Sequence, residues 1–125
     1  MTGIILVTHS GLGESLRHQA EVILGKLVPM TTVSISYGAD PDMALNELVA
    51  ALSMGRDADG AIVLTDLPGA TPHNLAQKAA EEIGVPVISG INLPMLLKVI
   101  SHADKPPHEL AAAASLGGHQ GIMNS

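Results

Sequence analysis

The chain has 125 residues, 46% of them hydrophobic, which is enough for one domain with an aliphatic core and leaves little room for disorder. Tyr37 is the only aromatic residue and the net charge is -6, which excludes a base-stacking platform and argues against a binder of the nucleic-acid backbone. There is no cysteine, so disulfides, thiolate catalysis and cysteine-ligated metals are excluded, and the composition fits a reducing compartment.

The first apolar run, Ile4-Ile5-Leu6-Val7, begins directly after Met1-Thr2-Gly3. No basic stretch precedes it and it is far too short to span a bilayer, so a cytoplasmic protein without a signal peptide is expected. The run predicts a strand over residues 3–8, followed by a glycine turn at Gly11 and Gly13. Leu12, Leu16, Ala20 and Ile23 then recur at helical spacing, with Gly25 as the C-terminal cap. The β-branched stretch 31–36 predicts the second strand. Asp40-Pro41 reads as an N-cap followed by proline at the first helical position, and Ala44, Leu45, Leu48, Val49 and Leu52 form the buried stripe of that helix.

A polar turn, 56–60, leads into the third strand, 61–65. After the loop Leu67-Pro68-Gly69-Ala70, the pair Thr71-Pro72 repeats the cap-then-proline signal, and the helix runs through Leu75, Ala76, Ala79, Ala80 and Ile83 to Gly84. A fourth strand is expected over 85–89. Pro94 opens a helix through Leu96, Leu97, Val99 and Ile100, with Asn92 positioned to cap it or to help shape the crevice. Pro106-Pro107 breaks the chain, a last helix covers 109–116, and the glycine-rich residues 117–125 read as a loose tail or a short added strand. Strands apolar throughout, alternating with helices, predict a single doubly wound α/β domain with a parallel four-stranded sheet covered on both faces. Right-handed crossovers leave few topologies; with strand two on one side of strand one and strand three on the other, the order is 2-1-3-4 and a crevice opens between strands one and three.

His9 and Asp66 each follow one of those two strands and so face each other across the crevice. A carboxylate that takes the hydrogen of one ring nitrogen leaves the other with a free lone pair. The helix starts near Gly11 and Thr71 offer N–H groups to an anion, and Ser10, Thr8, Thr65 and Thr71 add hydroxyls. Ser10, Gly11 and Thr71 are the expected phosphate binders. The arrangement suits a covalently phosphorylated histidine, or a histidine acting as general base. Set against this, a lone histidine is usually packing or surface, and Asp66 has a simpler role as a turn cap. His18, His102, His108 and His119 read as structural or solvated, while His73, which starts the helix after the Asp66 loop, is open to a structural role or to a place at the border of the site. No histidine spacing fits a metal, and the turn at Gly11 is neither a Walker loop nor a dinucleotide fingerprint, so no metal and no cofactor is expected.

Three segments, "GIILVTHSGLGESL", "GAIVLTDLPGATPHN" and "GINLPMLL", resemble in order and separation the IIA component of the mannose family of the bacterial phosphoenolpyruvate:sugar phosphotransferase system. The resemblance covers essentially all of residues 1–125 as one IIA domain, with 116–125 as tail or exchanged strand. It implies that His9 accepts a phosphoryl group from the histidine phosphocarrier protein HPr and passes it to a IIB component, with Asp66 bonding the ring. It also implies homodimers with an exchanged C-terminal strand, and association with membrane permease components without insertion. Because no IIB-like region follows, IIB is expected on a separate chain. Pro68, Ala70 and His73 depart from the family pattern, which often has an aromatic, a glycine and a phenylalanine there. The phosphocarrier subunit of dihydroxyacetone kinase is similar around the histidine, but "GINLPML" favours the mannose type. A regulatory IIA-like protein of an incomplete system, whose phosphorylation state selects partners, is the alternative reading. A small hydrolase with His9 as base lacks a separate nucleophile.

Overall fold

The four apolar runs form one parallel sheet in the order β2-β1-β3-β4, in a computed structural model that describes all 125 residues. The strands are β1 (Gly3–His9), β2 (Thr31–Ile35), β3 (Ala61–Thr65) and β4 (Val87–Ile88). The helices are α1 (Leu12–Leu24), α2 (Pro41–Gly55), α3 (Thr71–Ile83), α4 (Leu93–Ser101) and α5 (Pro107–Gln120). No helix is long and apolar enough to cross a membrane.

Strand alternation divides the core in two. Ile5, Val7 and Val63 point to one face and pack with Leu48, Leu52, Leu75 and Ala76 of α2 and α3. Ile4, Leu6, Ile62 and Leu64 point to the other and pack with Ala20, Leu96, Val99, Leu110 and Ala114 of α1, α4 and α5. Both faces are thus dry, as the unbroken apolar strands require. The central pair is in register over Gly3↔Ala61 to Val7↔Thr65, while β2 pairs with the later half of β1, ending at His9↔Ile35. That offset carries His9 two residues beyond the last β1–β3 pair, to the open end of the crevice.

Four local features differ from the sequence expectation. The buried face of α1 is Gly13 and Ala20 with Leu16 half-buried, whereas Leu12 and Ile23 are exposed. The helix turns Gly13 toward β1, where a Cβ would lie a tight 3.2 Å from Thr8 Oγ1 and in ordinary contact with Leu6 Cβ at 3.5 Å. Ala70 occupies the N-cap of α3, so Thr71 is the first helical residue rather than the cap. β4 is two residues long because the Val85 N–H bonds back to Ala80 C=O at the end of α3, and Gly90 turns away at φ +80°. Finally, α5 continues through Gly117 and Gly118 to Gln120, so residues 116–120 are helix and the exposed extension is 121–125, which forms no strand within the chain.

Candidate functional site

His9 and Asp66 meet at the carboxyl end of the sheet. Asp66 Oδ2 lies 2.6 Å from His9 Nδ1 and also accepts the His9 backbone N–H at 2.8 Å. Asp66 Oδ1 accepts the Leu67 N–H at 2.8 Å. A carboxylate only accepts, so the bond to Nδ1 requires the hydrogen there and leaves the Nε2 lone pair unshared in the neutral ring. The side chain of His9 is 51% exposed and that of Asp66 9%, so the acid is held beneath a ring that faces outward. Burial alone pushes the Asp66 carboxyl up. The two bonds from His9, the Leu67 N–H and the His9 charge outweigh it and hold the group below its ordinary value of 3.8.

The backbone around the pair is braced from several sides. Thr8, fully buried, donates to His9 C=O at 2.8 Å and accepts the Gly13 N–H at 2.9 Å, which ties the start of α1 to the end of β1. Across β3, Gly90 N–H donates to Asp66 C=O at 2.7 Å and Ile91 N–H to Thr65 C=O at 2.9 Å. Asn92 caps α4 by accepting the Met95 N–H at 2.9 Å and donates to Gly118 C=O at 3.1 Å. Thus "GINLPM" reaches the site through its backbone, while the Asn92 side chain secures α4 and α5.

The expected anion ligands separate into two groups. Ser10 and Thr71 are exposed, at the starts of α1 and α3, with Pro72 lacking an N–H at the second helical position. Gly11 is at φ +84°, and its N–H points to Ser34 Oγ at a long 3.4 Å. Thr8 and Thr65 are buried and bonded within the protein, so their hydroxyls face the interior. His73 is buried too, with Nδ1 2.8 Å from Thr65 Oγ1, behind the site rather than on its rim.

A polar contact missed in the sequence lies on the β2 side, where Ser34 Oγ donates toward both oxygens of Glu14 at 3.0 and 3.1 Å. The signal was present: Glu14 is the third residue of α1, where an acid complements the free N–H groups of the first turn. His18, His108 and His119 are exposed, and His102 and His119 approach carbonyls four residues back. No group of three or more histidine or acidic side chains is placed to hold a metal ion. A concavity of about 490 Å³ opens at the opposite end of the sheet between Thr2, Val28, Met54 and Arg56.

Residues 3–115 match the model of the EIIA-man family, described as the PTS system fructose IIA component. The mannose-specific EIIAB component of Escherichia coli (strain K12) is 28% identical over 122 residues, covering 95% of this chain and 38% of that protein. The chain therefore spans well under half the length of that curated relative. Among solved structures, the mannose/sorbose-specific IIA subunit from Enterococcus faecalis superposes with a TM-score of 0.88 at 26% identity, covering 98% of this chain and 93% of the other. The EIIA component from Streptococcus agalactiae gives 0.84 at 26% identity, covering 99% and 97%.

Proposed function

This chain belongs to the EIIA-man family, and from that premise we propose that it is a histidine phosphoryl carrier of a sugar phosphotransferase system. The observation that carries the reading is the 2.6 Å contact between Asp66 Oδ2 and His9 Nδ1, with the rest of the ring exposed. Asp66 keeps the hydrogen on Nδ1. Nε2 attacks the phosphorus of a phosphohistidine donor with its lone pair. The donor's N–P bond breaks as the new one forms, and the leaving nitrogen keeps the bonding electrons. No proton has to leave Nε2, so the protein's task is positioning and charge stabilisation.

The phosphoryl oxygens meet Ser10, the N–H groups at the start of α1 around Gly11, and Thr71 at the start of α3. Two helix N-termini there supply partial positive charge. HPr is the donor and a IIB component the acceptor in this reading, and residues 1–125 act as one IIA domain. The test is incubation with phosphoenolpyruvate, enzyme I and HPr. The expected product carries one acid-labile, base-stable phosphate. A His9→Ala variant that is still fully labelled overturns the assignment.

A further inference from the structure

His73 is the one histidine buried in the chain, at 8% exposure, and the chemistry proposed above makes no direct use of it. Its Nδ1 lies 2.8 Å from Oγ1 of Thr65, which is fully buried. Thr65 is the last residue of β3 and immediately precedes Asp66, while His73 lies in the first turn of α3. One bond therefore joins the two ends of the loop that carries Asp66 and leads to Thr71. Inside that loop, Ala70 N–H donates to Leu67 C=O at 3.2 Å and Asn74 Nδ2 to Gly69 C=O at 3.1 Å. On its far side Thr65 and Asp66 are already held through their carbonyls by Ile91 and Gly90. The His73–Thr65 bond is the side-chain tie between the strand and the helix.

We propose that His73 is a positioning residue which, acting through Thr65 Oγ1, holds the Asp66 carboxylate against His9 and sets the start of α3 relative to it. The inference rests on the reading of His9 as the phosphoryl carrier. A buried hydrogen bond has direction as well as strength, and leaving one member unpaired is costly. A small rotation of Thr65 is passed to the next residue, where a shift well under 1 Å changes how Oδ2 meets both His9 N–H groups.

The test uses three variants of the full chain. Thr65→Val and His73→Leu remove the bond from opposite partners, so failure of one to fold leaves the other. His73→Asn places an amide where Nδ1 stood and keeps it. In the unphosphorylated protein, ¹⁵N NMR of the His9 ring reads the tautomer, and carboxyl ¹³C NMR reads the Asp66 titration. Stopped-flow transfer from phospho-HPr gives kcat and KM.

Thr65→Val and His73→Leu are expected to populate both His9 tautomers and to move the Asp66 titration up toward its ordinary value. Both are expected to lower kcat about tenfold, the scale of a slight misplacement of reacting groups, with KM for phospho-HPr unchanged. The double variant is expected to be no worse than either single, and His73→Asn to behave as wild type. If the folded variants keep the Nδ1–H tautomer and wild-type kcat, the proposal is overturned, whatever stability they lose. The tautomer measurement needs no phosphoryl donor, so failure of His9 to accept phosphate is read separately from failure of His73 to position it.

Discussion

At the scale of single residues, the site is one carboxylate performing two tasks. Asp66 Oδ2 holds the His9 backbone and the His9 ring at once, so ring orientation and strand position are fixed together. An Asp66→Asn variant presents a donor or a neutral acceptor at that point and loses the charge. Phosphoryl acceptance is expected to slow on the order of a hundredfold through tautomer and orientation, with the far-ultraviolet spectrum unchanged. Wild-type kinetics in that variant argues against the role. The depressed Asp66 carboxyl also makes stability depend on pH. Its contribution is complete above the ordinary value of 3.8 and is lost as pH falls through the lower folded value. Urea midpoints of the wild type and Asp66→Asn should therefore converge on acidification; a gap that stays constant through that range contradicts the linkage. His9 and Asp66 were legible as a pair because both follow apolar strands. The Thr65–His73 bond was not, since nothing in a linear pattern shows that a strand-end hydroxyl and a helix-start imidazole turn inward together.

At the scale of elements, close approach overrides intrinsic preference. Glycine in a helix costs about 1 kcal/mol relative to alanine, which is why Gly117-Gly118 reads as the end of a helix. In the fold these residues pack α5 against α4: a Cβ at Gly117 would lie 2.6 Å from Lys98 Cβ, and one at Gly118 2.9 Å from Met95 Cε. Overpacking of this kind costs about 1–3 kcal/mol, more than alanine returns in propensity. Gly117→Ala is therefore expected to lower the thermal midpoint, and a stabilised variant in a melting experiment excludes the tight seam. Asn92→Ala removes the cap of α4 and its bond to Gly118, for an expected loss of about 1–2 kcal/mol by urea titration. The cap signals at Asp40 and Asn92 were legible, because the side chain that bonds the helix start is itself the signal. At Thr71 the same signal misled, because the backbone enters α3 one residue earlier and Ala70 takes the cap position.

At the scale of the whole molecule, the sheet is left with two open edges, β2 and β4, and β4 is only two residues long. Unpaired edges invite pairing with another chain, and Ile122 and Met123 on the exposed extension are 76% and 84% accessible. A homodimer is the expected state, with light scattering at micromolar concentration as the measurement and a clean monomer as the contrary result. A dimer that survives deletion of residues 121–125 keeps the association and rejects an exchanged tail as its main support. Two-sided burial and the ends of the strands that carry His9 and Asp66 were determined by the sequence itself, which narrowed the strand order to a few topologies; the order β2-β1-β3-β4 is the one the fold adopts. The burial and the strand ends follow from the period of apolar residues, and the narrowing from the handedness of crossovers, which are local and chiral constraints. The rotation of α1 that turns Gly13 toward β1, the length of α5 and the inward pairing of His73 with Thr65 were decided only by tertiary structure. Each depends on how near two backbones come and which buried polar group has a partner, and those distances exist only once the layers have packed.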